Sequence, residues 1–118
     1  MTITHHDWSP NDPVEINIDA ISRGIVLDTV AHEGNDVRLL DVFTAAFPAE
    51  DASSLHFDLV GSDGFRPRAR PACARSLTKT DLAGGHVDRV THDVSFDSAL
   101  GLPRCYRVKR LQTVKASR

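Results

Sequence analysis

The charges of this chain are divided by position, and the division restricts how the chain can fold. Residues 1 to 63 contain twelve acidic and two basic side chains, a formal charge of −10. Residues 64 to 118 contain twelve basic and four acidic side chains, a formal charge of +8. A separation of this size indicates either two halves that fold against each other or a basic surface that meets an anionic partner.

Length and composition predict one globular domain. A chain of 118 residues with 41% hydrophobic and 25% charged residues can bury a core of its own. We assign residues 1–13, which contain two prolines and Trp8, to an N-terminal arm and residues 14–118 to a single domain. No apolar run is long enough to span a bilayer, and the N-terminus has no leader-like pattern, so we expect a cytoplasmic protein.

Hydrophobic periodicity predicts three strands and one main helix in the first half. Apolar and polar residues alternate from Val14 to Ile18, which is the period of a half-buried strand. The helix is expected from Val37 to Phe47, after Asn35 or Asp36 as the N-cap and before Pro48. The two remaining strands are predicted at residues 24–30 and 55–59.

The second half is less regular and richer in strands. The prolines in residues 65–71 indicate an edge strand or an extended loop. Thr78 to Leu82 predicts a short helical turn that ends at Gly84 and Gly85. Further strands are expected over residues 87–96 and 105–114. Together the pieces predict an α+β fold, a single domain with a mixed β-sheet and one main packed helix.

Three segments carry a family resemblance. They are the helix from Val37 to Ala46, the turn Asp63-Gly64-Phe65, and the final strand, in which Tyr106 precedes Val108-Lys109-Arg110-Leu111. In this order they resemble the molybdopterin-binding domain of sulfite-oxidase-type oxidoreductases. The resemblance implies that fold, an oxidoreductase function and molybdopterin as the possible cofactor.

One departure from that family concerns its chemistry. Its enzymes bind molybdenum through a cysteine thiolate upstream of the helix, and soft thiolate ligation suits such a site. This chain has no cysteine before Val37, and Cys73 follows the Asp63-Gly64-Phe65 turn. The resemblance therefore implies a reduced relative that kept the scaffold without the metal chemistry, because a fold does not confer a function.

Two basic stretches that contain no acidic residue lie beside the Asp63 turn and in the final strand. They are Arg66 to Arg75 and Arg104 to Arg118. Arginine side chains bind phosphates and carboxylates in a bidentate manner, and strand alternation would place Arg107 and Lys109 on one face. The predicted anion site consists of Asp63, Arg66, Arg68, Arg70, Tyr106, Arg107 and Lys109. The alternative interpretation is that these bases pair with the acidic half or remain solvated.

The histidine, aspartate and cysteine residues of the second half give weaker evidence for a metal site or a reactive thiol. His86, Asp88 and His92 would share one face of an extended strand, but the two histidines would then lie roughly 20 Å apart, too far to share one ion unless the chain bends. We therefore predict no metal site. Cys73 and Cys105 have no metal-binding or redox spacing and are expected to be reduced thiols. Arginines near Cys73 in sequence leave a reactive thiol as an alternative.

The sequence thus predicts a non-catalytic or accessory domain that binds an anionic small molecule or an acidic protein surface through its basic C-terminal half. No cofactor is expected, and molybdopterin enters by resemblance only. The acidic overall charge and the absence of a nucleic-acid-binding motif disfavour DNA or RNA as a partner. The alternative is a small molybdopterin-type oxidoreductase or another ligand-transforming enzyme, with its cleft between the Asp63 turn and the last strand.

Overall fold

Alternating apolar residues place the first strand in the interior of the protein. The structure, a computed structural model, describes residues 9, 11–61, 76–101 and 108–118. Its elements are β1 (Val14–Ile18), β2 (Ile21–Ile25), β3 (His32–Glu33), β4 (Asp36–Arg38), α1 (Leu39–Ala46), β5 (His56–Gly61), α2 (Lys79–Ala83), β6 (Gly85–Asp88), β7 (Val94–Phe96) and β8 (Leu111–Ser117). In β1 the apolar residues are buried and Glu15 between them is exposed, as the alternation predicts.

The first sheet joins the two ends of the described chain. Its strand order is β2-β1-β8-β5. Strand β8 runs parallel to β1 and antiparallel to β5, so the sheet is mixed. The register places Val114 opposite both Ile16 and Leu59, and these three side chains are buried. A strand of the basic half therefore lies between two strands of the acidic half.

The second sheet is antiparallel, with the order β3-β4-β6-β7. Val37, Val87 and Val94 form a buried row across β4, β6 and β7. At Gly85 a Cβ atom would lie 2.6 Å from Cδ1 of Leu39 and 2.9 Å from Cε1 of Phe96. Glycine at this position lets β6 approach the start of α1 closely.

Helix α1 packs aromatic residues against the first sheet. Its buried face consists of Leu39, Val42, Phe43 and Ala46. The Phe43 ring makes an edge contact with Phe57 of β5, with centroids 5.1 Å apart and ring planes at 80°. This geometry is favourable because the positive edge of one ring meets the negative face of the other. The buried face of the helix is therefore part of the hydrophobic core.

The predicted start of the helix is wrong by two residues. Asp36–Arg38 forms β4, and α1 begins at Leu39 with Arg38 as its N-cap residue. Asn35 and Asp36 do not cap the helix, because this segment pairs with β6 and the Asp36 carboxylate lies against His86. Tertiary pairing thus overrides a local capping signal.

Three strand predictions are also corrected. The second strand covers Ile21–Ile25 rather than residues 24–30, because a two-residue turn with Asp19 at φ 53° reverses the chain directly after β1. Residues 87–96 form two strands, β6 and β7, joined by a tight loop. In the described part of the last segment, residues 108–110 lie outside any strand and β8 covers Leu111–Ser117. The prediction for residues 65–71 lies outside the described residues.

Other predictions are confirmed. Strand β5 follows the alternation predicted for residues 55–59, and Thr78 and Asp81 form a reciprocal capping box at the start of α2, which ends at Gly84. The radius of gyration is 13.9 Å, close to the roughly 13–14 Å expected for a compact domain of this length. The α+β fold in a single domain with a mixed sheet is thus confirmed. Neither described helix is long and apolar enough to cross a membrane.

The two basic residues of the first half both bind helix ends. Arg23 donates a hydrogen bond of 2.7 Å to the carbonyl oxygen of Ala46, the last residue of α1, and its guanidinium carbon lies 4.5 Å from the centre of the Phe47 ring. Arg38 donates one of 2.7 Å to the carbonyl oxygen of Ala83, the last residue of α2. Cations at these positions satisfy orphan carbonyl groups and complement the helix dipole.

We expect Arg23→Ala to lower the free energy of unfolding by about 1–2 kcal/mol, because it removes both the helix-end hydrogen bond and the contact with the Phe47 ring. Arg118→Ala is the matched control. It removes an exposed arginine whose ion-pair distances are 3.4 and 3.8 Å, and we expect a loss below about 0.5 kcal/mol. Urea denaturation of the three proteins measures the difference, and equal losses for the two variants would contradict the helix-end role.

Candidate functional site

The exposed face of the second sheet contains a row of carboxylates. The register places Glu33 opposite Asp36 and Asp36 opposite Asp88, across three adjacent strands. Together with Asp93 and His86, these residues line a cleft of about 480 Å³, called here the acidic cleft. Like charges that lie directly opposite each other on a sheet repel, so this face needs compensation.

His86 supplies part of that compensation. Its Nδ1 lies 3.0 Å from the Asp36 carboxylate, and its Nε2 lies 2.9 Å from Oδ1 of Asp97. A neutral imidazole has a single N–H, so only the imidazolium can donate to both carboxylates at once. Both ring nitrogens are engaged, so His86 bridges the two carboxylates.

Asp88 organises the loop that follows β6. Its Oδ1 accepts hydrogen bonds of 2.8 Å from the backbone N–H groups of Thr91 and Val90. Backbone bonds from Asp88 N to Asp93 O and from His92 N to Asp88 O close the same loop. The hydrogen bond from Thr91, supported by that from Val90 and opposed by partial burial, lowers the pKa of Asp88 below its ordinary value.

Arg89 fixes this loop to the first half of the chain. Its guanidinium donates to Oδ1 of Asp28 at 2.8 Å and to Oδ1 of Asn35 at 3.0 Å, and its backbone N–H donates to the Asn35 carbonyl. Arg118 similarly reaches Glu50 at 3.4 Å and Asp19 at 3.8 Å. Acids of the first half therefore neutralise these two bases of the second half.

Lys109 is the member of the predicted anion site that the structure describes. It is exposed and lines a cleft of about 420 Å³ together with Asp93, Val94, Ser95 and Val108, called here the Lys109 cleft. Lys109 lies in a bend before β8, so strand alternation does not position it. The other members, Asp63, Arg66, Arg68, Arg70, Tyr106 and Arg107, lie outside the described residues.

A third cleft, of about 360 Å³, lies where β1 and β8 begin. Its wall includes His92, whose exposed fraction is 2%, and Arg110, and we call it the Arg110 cleft. Both residues have positive φ angles, 61° and 49°. The sequence did not predict this cleft. Glycine is the residue type that indicates a positive φ angle, and histidine and arginine do not indicate one.

The side chains near the start of α1 do not fit a molybdenum centre. Glu33 and Asp36 offer hard carboxylate oxygens, whereas the resembled family uses a soft thiolate. In the part of the chain that the structure describes, no group of three or more histidine, cysteine or acidic side chains is arranged to hold a metal ion. Cys73 and Cys105 lie outside that part. The described residues therefore give no support for a reaction that uses molybdopterin.

The geometry defines a small α+β domain with charged clefts around one hairpin. Within the described residues, the segment from His92 to Ser95 contributes to all three clefts named above. No family model, no curated protein and no solved structure matches the chain. The likeness to sulfite-oxidase-type domains therefore stays an interpretation of the sequence.

The Asp88 loop should respond to pH in a defined direction. Because the folded-state pKa of Asp88 is lowered, its charge stabilises the fold above the ordinary carboxyl range near pH 4, and this contribution is lost as the pH falls through the folded-state value. We expect Asp88→Asn to lower the free energy of unfolding by about 1 kcal/mol at pH 7, and the difference from the unmodified chain to disappear towards pH 2.

Urea denaturation at a series of pH values measures this difference. Glu33→Gln is the matched control, since it removes a charge from the same cleft without touching the loop. It should leave stability unchanged or raise it slightly at pH 7, because it relieves repulsion across the sheet. A pH-independent difference between Asp88→Asn and the unmodified chain would contradict the role assigned to the carboxylate.

Proposed function

We propose that this chain is a non-catalytic, accessory domain that binds an anionic small molecule or an acidic protein surface through its basic second half. The observation that carries the proposal is the position of Lys109, an exposed ammonium group on the wall of an open cleft. Lysine presents three donors as a compact charge, and carboxylate or phosphate oxygens are its ordinary partners.

The other described bases support this choice by their own contacts. Arg23 and Arg38 bind helix ends, while Arg89 and Arg118 bind carboxylates of the first half. Arg89 and Arg118 thus account for part of the charge division as internal pairing. Lys109 faces a cleft instead, and its charge is placed to meet a ligand there.

The walls of the Lys109 cleft suit an anion with a partly apolar body. Val94 and Val108 are almost fully buried, and the bond of 2.7 Å from Val94 N to Val108 O joins their backbones. Ser95 adds a hydroxyl group to the wall. Asp93 opposes an anion, but its Oδ1 already accepts the backbone N–H of Arg110 at 3.3 Å.

The bases predicted from the sequence belong to the same proposal. Arg66, Arg68, Arg70 and Arg107 would extend the positive surface, and Asp63 and Tyr106 would border it, as the acid-free clustering of the arginines suggests. Guanidinium groups beside a lysine would favour a ligand with several acidic oxygens, because arginine can bind two of them at once. An acidic protein segment satisfies the same chemistry.

The non-catalytic part of the proposal is supported by His86. Both of its ring nitrogens contact carboxylates of the protein, so the contacts that orient the ring also occupy both nitrogens. The alternative, a molybdopterin-type oxidoreductase or another ligand-transforming enzyme, depends on the sequence resemblance. Molybdenum found in the purified protein by elemental analysis would overturn the accessory function.

A melting experiment with anions tests the proposal. Phosphate, citrate and heparin are titrated at constant ionic strength, with sodium chloride as the compensating salt. We expect each to raise the melting temperature by several degrees at saturation, because a ligand that binds only the folded state stabilises it. Lys109→Gln should weaken the binding at least roughly tenfold, equivalent to about 1.4 kcal/mol.

Lys79→Gln is the matched control. It makes the same change of charge at an exposed lysine on α2 and should leave the binding unchanged. Arg107→Gln should weaken the binding as well, since the sequence assigns Arg107 to the site. Shifts no larger than those of sodium chloride, or equal losses for Lys109→Gln and Lys79→Gln, would reject the anion site.

A further inference from the structure

The two sheets end in four edge strands, β2 and β5 in the first sheet and β3 and β7 in the second. Three of these edges are short or partly covered. Strand β3 has two residues, and Leu77 exchanges two backbone hydrogen bonds with Phe57 of β5. In β7 the Val94 N–H donates a bond of 2.7 Å to the Val108 carbonyl oxygen. Strand β2 has five residues, and no described strand pairs with its outer side.

The backbone of β2 presents hydrogen-bonding groups along this edge. A two-residue turn makes Ile18 and Ile21 a hydrogen-bonded pair, and such pairs alternate along an antiparallel ladder. The N–H and C=O groups of Ser22 and Gly24 therefore point away from β1. Both residues are exposed, and because glycine has no side chain, the exposure of Gly24 is that of its backbone. An open edge of this kind can pair with a further strand.

Three side chains of β2 lie on the core face of the first sheet. They belong to Ile21, Arg23 and Ile25, since each residue is opposite a residue of β1 whose side chain is buried. Ile21 is 53% exposed, whereas Ile25 is partly buried against the core. A strand added to this edge would place its own side chains opposite all three, and apolar residues suit the two isoleucines.

Arg23 determines the charge that suits the middle of an added strand. Its guanidinium has five N–H donors, and the hydrogen bond to the Ala46 carbonyl oxygen uses one of them. In an antiparallel partner, Ser22 and Gly24 form the hydrogen-bonded pairs, so Arg23 between them belongs to a non-hydrogen-bonded pair, whose Cα atoms lie only about 4.5 Å apart. An acidic residue opposite Arg23 is therefore favoured, and a basic residue is repelled.

A second copy of the chain suits this edge less well. Two β2 strands related by a two-fold axis pair all their outward groups when Ser22 of one copy lies opposite Gly24 of the other. That register places Arg23 opposite its own counterpart. Like charges that lie directly opposite each other on a sheet repel, so the geometry favours a different partner with the opposite charge.

We propose that the outer edge of β2 binds an extended segment of another protein, in which an acidic residue has an apolar residue two positions away on each side. The segment adds an antiparallel strand to the four-stranded first sheet. Its apolar residues contact Ile21 and Ile25, and its carboxylate meets Arg23. This surface contains no residue of the Lys109 cleft and is independent of the proposed function.

A nuclear magnetic resonance titration of the full chain, labelled with nitrogen-15, tests the proposal with two synthetic peptides. The first is Thr-Val-Thr-Glu-Thr-Val-Thr with blocked ends, and the second has lysine in place of glutamate. We expect the glutamate peptide to produce saturable shifts at the backbone amides of Ser22 and Gly24. The lysine peptide should bind at least roughly fivefold more weakly, because its charge opposes Arg23. The comparison leaves Arg23 unchanged, so its bond to the end of α1 is kept.

Substitutions in β2 separate the backbone contribution from that of the side chains. Ser22→Pro removes an outward N–H group and Ser22→Thr keeps it, so only the first should weaken binding of the glutamate peptide, by at least roughly fivefold. Ile21→Ser should weaken it at least roughly threefold through the lost apolar contact. Val90→Ser, the matched change at an exposed residue outside β2, should not. If Ser22→Pro loses its dispersed spectrum, the comparison of Ile21→Ser with Val90→Ser decides.

The proposal is overturned if neither peptide gives a saturable response, or if the two peptides bind equally. It is also overturned if the chain alone forms a dimer in sedimentation equilibrium that Ser22→Pro abolishes, because the edge then belongs to a second copy. Slow hydrogen exchange of the Ser22 and Gly24 amides in the isolated monomer would show that the chain covers its own edge, with the same consequence. Lys109→Gln should leave peptide binding unchanged, so this surface and the anion site succeed or fail separately.

Discussion

The placement of β8 between β1 and β5 is the constraint on which the rest of the structure depends. A strand of the basic half is hydrogen-bonded on both sides to strands of the acidic half. The register brings Lys115 opposite Asp58 and Ala116 opposite Phe57, and the Phe57 ring contacts Phe43 of helix α1. The second sheet repeats the arrangement, since β4 of the first half pairs with β6 of the second. Neither half can bury its own apolar face without the other, so the fold is cooperative between them.

The hairpin of β6 and β7 contributes residues to the walls of all three clefts. Asp88 closes its loop with hydrogen bonds to the Val90 and Thr91 backbones, and Arg89 ties the loop to Asp28 and Asn35. The segment from His92 to Ser95 is thereby fixed, and the three clefts share it as a wall. Sites built on a braced segment hold their polar groups in place before a ligand arrives, which lowers the entropy cost of binding.

Local patterns in the sequence predicted the elements whose signals are local. The alternation in β1 and β5 gave the correct buried faces, and the segment from Thr78 to Leu82 with two glycines behind it marked α2. The start of α1 was mispredicted because Asp36, an acceptable cap residue, is used in the pairing of β4 with β6 and in the contact with His86. The segment 87–96 was predicted as one strand because its apolar spacing is extended, whereas the side chain of Asp88 folds the backbone after it into a loop. Hydrogen bonds from two backbone N–H groups to a carboxylate produce no periodic pattern in the sequence, so hydrophobic periodicity could not predict this loop.

The sequence by itself determined the faces of the strands, the complementary charges of the two halves and the single α+β domain, because these follow from residue type and short-range spacing. Only the tertiary structure decided which charges are used internally. Arg23 and Arg38 meet helix ends and Arg89 meets Asp28, whereas Lys109 faces a cleft. The tertiary structure also brought Arg110, Asp12 and Glu15 together in the wall of a separate cleft. The physical reason is that charges interact through space over a few ångströms, and strand register and loop closure set those distances, not separation along the chain.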